Sequence, residues 1–374
     1  MIDHKDILGE LDFDIPLKEK LICTHEAIKQ HFPFIARIAI TIYDPVTTVL
    51  KTYLHSSDGD SPLNNYQARL DDAPSLKALL EKGKPRVINN MLTFEDATHE
   101  HTRRIGRSGY ASSYTMPMFH NSRFFGFIFF NSRQINSFKP EVLYELDMIG
   151  HMLSLMVVSE LESVHTLLAA IKTTGHITHL RDPETGSHLD RMSRYSRLVA
   201  VTLAEKYDLD DDYIEHIFLF SPLHDIGKIA IPDHILLKAG NLDEHETTIM
   251  QTHAQKGRDI IDGLLKNFSL ENFYHIDILR NIIGLHHEAI DGRGYPTGIK
   301  GDDIPLEARI VAVADVFDAL TSRRPYKSAW SIDHAFEELN QLADNKLDRN
   351  CVDALVTNRS EVESIQQQFS ENPF

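Results

Sequence analysis

The stretch FLFSPLHDIGKIAIP, residues 218–232, is apolar enough for a buried helix, yet it holds His224, Asp225 and Lys228 in its middle. Burying a charge without a partner is costly. Either the three groups satisfy one another, or something else in the site satisfies them. On a continuous helix, Lys228 lies about one turn beyond His224 and shares its face.

Outward from this stretch, residues 173 to about 336 are almost entirely helical in pattern. YSRLVAVTLAEKYDLD (195–210), TTIMQTHAQKGRDIIDGLL (247–265), YHIDILRNIIGLHHE (274–288) and RIVAVADVFDALTS (309–322) all carry helical spacing, without strand alternation. The acidic, then polar, segment after Asn345 is expected to be weakly ordered.

The first part of the chain reads differently. LKEKLICTHEAIKQHF (17–32) is helical, IARIAITIYD (35–44) and VLKTYLHS (49–56) are strands, and SLKALLEKG (75–83) is a short helix closed by glycine. SSYTMPMF and FFGFIFFNS flank HNSR (120–123), a hairpin signal. This predicts an α+β domain over 1–140. From 141 to 172, apolar residues fall at 142, 146, 149, 153, 157, 161, 164, 168 and 171, a heptad with one stutter. Two readings stand. Either this helix packs on its own domain, or it pairs with a second copy and connects the domains of a homodimer.

The chain has 374 residues, 42% hydrophobic and 25% charged, room for two globular domains. The longest apolar run, MLSLMVV (152–158), is too short to span a bilayer, and the acidic N-terminal stretch is no signal peptide. Only Cys23 and Cys351 are present, with no CxxC spacing, which suggests a reducing, cytoplasmic setting and excludes a thiolate metal site. Residues 1–172 balance to −3, and residues 173–374, with 20 Lys/Arg against 34 Asp/Glu, to −14. Tracking long nucleic acid wants a basic face, so the second half suits a small ligand and cations instead.

Glu184 and His188 share a helix face four residues apart. His253, His286, His287 and Asp315 recur with His224 and Asp225 on successive helices. Each alone has a plain structural reading: a core histidine, a first-turn acid, a carboxylate paired with Arg309. Together, five histidines and three carboxylates suit Fe, Mn, Zn or Co, and eight ligands suit two or three ions sharing bridging carboxylates. Bound cations also explain buried carboxylates.

RDPETGSH, LHDIGKIAIP, HAQKG, HHEAIDGRGYP and ADVFDALTSRRPYK, in that order over about 173–345, resemble the HD-GYP phosphodiesterases, and residues 1–140 resemble a GAF domain in outline. The resemblance implies a GAF-like α+β sensor domain, a connecting helix (141–172), an all-α HD-type bundle (173–345) and a tail (346–374). It implies metal ligands at Glu184, His188, His224, Asp225, His253, His286, His287 and Asp315, with Asp225 bridging. Glu184 points to three ions, iron or manganese. It implies hydrolysis of a cyclic dinucleotide, cyclic di-GMP to pGpG or GMP, by metal-activated hydroxide attack on phosphorus. Lys228 is expected at the phosphate or leaving oxygen. Gly294, Tyr295 and Pro296 are expected to form a substrate loop, with Asp318 at a base edge and Arg324 and Lys327 at the phosphates and guanine. The family's G-x-x-FDP segment is NKLDRNCVD here, keeping Asp348 but neither Phe nor Pro. A 3′3′-cyclic GMP–AMP phosphodiesterase and a non-catalytic receptor remain the alternatives.

Overall fold

IARIAITIYD and VLKTYLHSS pair antiparallel as β1 (Ile35–Asp44) and β2 (Val49–Ser57), the start of a six-stranded sheet. The computed structural model describes residues 6–13, 15–59, 66–91, 107, 109–179, 186–268, 275–322 and 329–370. With β3 (Gln67–Arg69), β4 (Arg86–Ile88), β5 (Ser112–His120) and β6 (Arg123–Ser132), the sheet order is β3-β2-β1-β6-β5-β4. HNSR closes β5 onto β6 with Asn121 and Ser122 at φ 47° and 63°, the left-handed pair that a two-residue hairpin needs. α1 (Leu17–His31) and α2 (Pro74–Lys82) cover apolar clusters of the sheet: Leu21 and Ile28 join Ile38 and Ile40 in one, Leu76 and Leu79 join Phe127 in another.

α3 is one helix of 40 residues, Pro140–His179. Leu146, Leu153, Val157 and Leu161 belong to the sheet's own core cluster. As far as Leu161, the apolar stripe is therefore that of a helix packed on its own domain; Val164 is buried, and the side chains of residues 168 and 171 lie outside the described residues. Tyr144, Met148 and Leu155 are exposed on the helix. The reading of MLSLMVV as too short needs correction on length. Over Pro140–Glu162 the helix is long and apolar enough to cross a membrane by length and composition, although its inner face is packed on the sheet. The chain divides into units 1–165 and 166–374, with the division inside α3.

The second unit is helical: α4 (Gly186–Tyr207), α5 (Asp211–Phe220), α6 (Asp233–Leu236), α7 (Glu244–Gln251), α8 (His253–Phe268), α9 (Ile276–Leu285), α10 (Leu306–Thr321), α11 (Ile332–Leu342), α12 (Arg349–Thr357) and α13 (Arg359–Gln368). α10 is buried nearly all round, with Ile310, Val311, Val313, Ala314 and Phe317 at 0% exposure, as a central helix must be. FLFSPLHDIGKIAIP is not one helix. α5 stops at Phe220, and 3₁₀ turns Ser221–Leu223 and Ile226–Ala230 flank His224 and Asp225. Packing explains the break: a Cβ on Gly227 would sit 1.8 Å from the His253 carbonyl and 2.6 Å from the Gly257 nitrogen, so this segment lies directly on α8. The region after Asn345, expected to be weakly ordered, forms α12 and α13. Asp348 caps α12 through the Cys351 amide (3.1 Å) and holds Arg309 (2.7 Å), while Cys351, Val352, Leu355 and Val362 are buried beneath the acidic surface.

Candidate metal centre

His188 stands in the first turn of α4, His224 and Asp225 in the break after α5, His253 at the start of α8, His286 and His287 just past α9, and Asp315 within α10. Their ligating atoms converge in two groups, Asp225–His253–His286–His287 and His188–His224–Asp315, each with its atoms within 4.8 Å of one another. Asp225 joins the groups. Its Oδ1 lies 3.2 Å from His253 Nε2 and 3.7 Å from His286 Nε2, and its Oδ2 lies 3.1 Å from His224 Nε2 and 2.8 Å from Lys228 Nζ. His224 Nε2 is 3.9 Å from Asp315 Oδ1.

The backbone sets which ring nitrogen faces this centre. Nδ1–H of His224 donates to the Ser221 carbonyl (2.9 Å), that of His253 to Met250 (2.8 Å) and that of His286 to Ile282 (2.9 Å). A carbonyl only accepts, so each Nε2 carries a lone pair. The buried Nε2 atoms of His253 and His286 and Oδ1 of Asp225 make no hydrogen bond. Acceptors turned on one another at 3.2–3.7 Å repel unless a cation lies among them. The donor set, imidazole and carboxylate without thiolate, fits a first-row divalent ion.

Electrostatics agree. Burial alone would raise the Asp225 carboxyl, but the Lys228 ammonium beside it holds it well below the usual range. Burial pushes His287 and His286 down, and His286 adds to the effect on His287, so both rings stay neutral, the ligating form. In a third group, Asp212, His216 and His275, His275 Nε2 donates to Asp212 Oδ2 (2.9 Å) and His216 Nδ1 to the Asp212 backbone carbonyl (2.8 Å).

Of the other expected site residues, Tyr295 stacks on His287, with ring centroids 4.6 Å apart and planes at 29°. A Cβ on Gly294 would meet the Ala289 nitrogen at 2.3 Å, so glycine lets the loop press against the two histidines. Pro296 is exposed beyond it. Asp318 does not present an edge to a base. It is 0% exposed, and its oxygens are taken by His188, Arg191 and Ser322. Glu184, Arg324 and Lys327 lie outside the described residues.

Sequence reasoning missed two supports. Glu288 is buried and accepts from the Thr297 amide (2.7 Å) and hydroxyl (2.6 Å) and from the Gly298 amide (3.0 Å), tying down the loop that carries Tyr295. Its place directly after the histidine pair was the available signal. Arg191, three residues after His188 on one helix face, is the other.

Residues 183–351 match the HD domain family. The cyclic di-GMP phosphodiesterase response regulator RpfG of Xanthomonas campestris is 46% identical over 190 residues, 51% of this chain and 47% of that protein. The 3′3′-cGAMP-specific phosphodiesterase 2 of Vibrio cholerae is 42% identical over 159 residues, 42% of this chain and 28% of that protein. This chain thus spans about half or less of the length of these curated relatives. Among solved structures, the phycocyanobilin-bound GAF domain of a cyanobacterial phytochrome covers 41% of this chain and 90% of its own, at 18% identity and TM-score 0.33. The helical unit, with its converging histidines and aspartates, carries an HD domain.

Proposed function

We propose that this chain is a metal-dependent phosphodiesterase of the HD-GYP type that hydrolyses cyclic di-GMP to pGpG or GMP. The observation that carries this is the set of buried acceptors on Asp225, His253 and His286 facing one another, which a cation reconciles. His188, His224, Asp225, His253, His286, His287 and Asp315, with Glu184, would hold two or three ions of iron or manganese, Asp225 serving both groups. Bound divalent ions supply Lewis acidity, making water a nucleophile at neutral pH and offsetting charge on the phosphoryl oxygens. Asp225 orients Lys228 at 2.8 Å, placing an ammonium where it can donate to a phosphoryl or leaving 3′-oxygen. Arg324 and Lys327 meet the substrate's phosphates. The first unit acts as a GAF-type regulatory domain, and the chain works as a homodimer through the outer face of α3, where Tyr144, Met148 and Leu155 are exposed, which sedimentation equilibrium tests.

The relatives named as cyclic di-GMP phosphodiesterases support the guanine dinucleotide; those named for 3′3′-cGAMP support the mixed one as a second reading. Anaerobic assays with iron(II) or manganese(II), each dinucleotide supplied separately and products resolved by chromatography, discriminate. Turnover of cyclic di-GMP is expected. Turnover of the mixed dinucleotide alone would change the substrate, and no turnover with metal bound would point to a receptor.

A further inference from the structure

Behind His188 runs a buried ionic chain that ends on a different helix. Nδ1–H of His188 donates to Asp318 Oδ2 at 2.7 Å. One guanidinium holds both oxygens of that carboxylate: Arg191 Nε reaches Oδ1 at 2.5 Å, and Nη2 reaches Oδ2 at 2.9 Å. Ser322 Oγ donates to Oδ2 at 3.0 Å and accepts from Arg191 Nη2 at 2.6 Å. The remaining arm, Nη1, donates to the backbone carbonyl of Phe369 at 2.9 Å. Phe369 follows α13 directly and is 8% exposed, and the Arg194 guanidinium lies 4.0 Å from its ring centroid.

Each link orders the one before it. A carboxylate with no exposure needs a countercharge, and a bidentate fork both neutralises it and fixes its plane. The fixed carboxylate sets the tautomer and rotation of the His188 ring, leaving Nε2 for the centre. The fork keeps its own orientation because its third arm is seated on residue 369.

We propose that Arg191 is a positioning residue for His188, and that the α13–Phe369 segment, by seating Arg191, sets how tightly the His188 side of the centre keeps its cation. The inference rests on the proposed metal centre and deepens it. A displacement of this segment changes metal occupancy without touching any ligand.

The test uses the full chain, stripped of metal and dialysed against graded manganese(II), with bound manganese per chain measured by elemental analysis. The visible absorption of the cobalt(II)-substituted protein supplies a second readout of the ligand field. Arg191→Lys keeps the charge and loses the fork; deletion of residues 369–374 removes the seat. Ser364→Ala, exposed on α13, is the control. Expected are one manganese weakened by about 10–100-fold in both test variants, a shifted cobalt spectrum, and an unchanged control. Circular dichroism melts of metal-free protein identify a variant that has not folded; if the deletion is one, Arg191→Lys decides. Folded variants with wild-type affinity and spectrum would overturn the inference alone. A wild-type chain that binds no divalent ion would overturn the metal centre, and this inference with it.

Discussion

Lys228 and Gly227 are neighbours in the chain with opposite tasks. The ammonium of Lys228, 2.8 Å from Asp225, contributes charge at the centre and holds no cation itself. Lys228→Met should therefore lower kcat by about 10²–10³-fold, as loss of one oxyanion donor does, with metal content unchanged by elemental analysis. Equal loss of metal would make it a structural partner of Asp225. Gly227 contributes only its missing side chain. Gly227→Ala puts a Cβ 1.8 Å from the His253 carbonyl and should destabilise the second unit by about 3 kcal/mol. Gly263, inside α8, is the counterpart, since a Cβ there would meet nothing within 4 Å: Gly263→Ala should stabilise by about 0.4–1 kcal/mol. Urea unfolding of the two variants checks both. The residues that converge at the candidate centre were legible in the sequence, because imidazole and carboxylate in apolar helices demand partners. The task of Asp318 was not: one turn from Asp315 on α10, it turns to Arg191, and only packing shows which residue waits there.

At the scale of elements, strand alternation, the glycine closing α2 and the HNSR turn all read correctly, since each is decided within a few residues. β1 and β2 are joined to α1 by a less visible device. His25 on α1 is buried between Ser56 Oγ at 2.8 Å and the Ile35 carbonyl at 3.0 Å. Burial lowers its pKa from 6.5, only partly opposed by the Ile35 carbonyl. The folded state thus prefers the neutral ring. The stability this contributes is present above pH 6.5 and is lost as pH falls below it. Urea midpoints of the first unit should fall between pH 7.5 and 5.5, and His25→Gln should flatten that dependence; a flat wild-type profile would remove the assignment. The helix–loop boundary at Phe220 was not legible, because the apolar run 218–232 continues through it and the reason to break lies in α8.

For the whole molecule, the division into an α+β unit and a helical unit places the proposed metal centre in one of them. Ions bound to the native second unit stabilise it by mass action, about 2.7 kcal/mol at a hundredfold excess over Kd. Chelation should lower the melting transition of the second unit and leave that of the first in place; calorimetry with and without chelator measures this, and equal shifts would contradict it. The sequence by itself determined most of the inventory: the main strands and helices, though not the two C-terminal helices or the break after Phe220, and which imidazoles and carboxylates recur at helical spacing. It did so because period and side-chain chemistry are local properties. Tertiary structure alone decided what covers each apolar face and what answers each buried charge. The stripe of α3 meets its own sheet, LHDIGK leaves the helix to lie on α8, and Arg191 reaches Phe369. A period shows that a face must be buried; only packing between residues far apart in the chain chooses its partner.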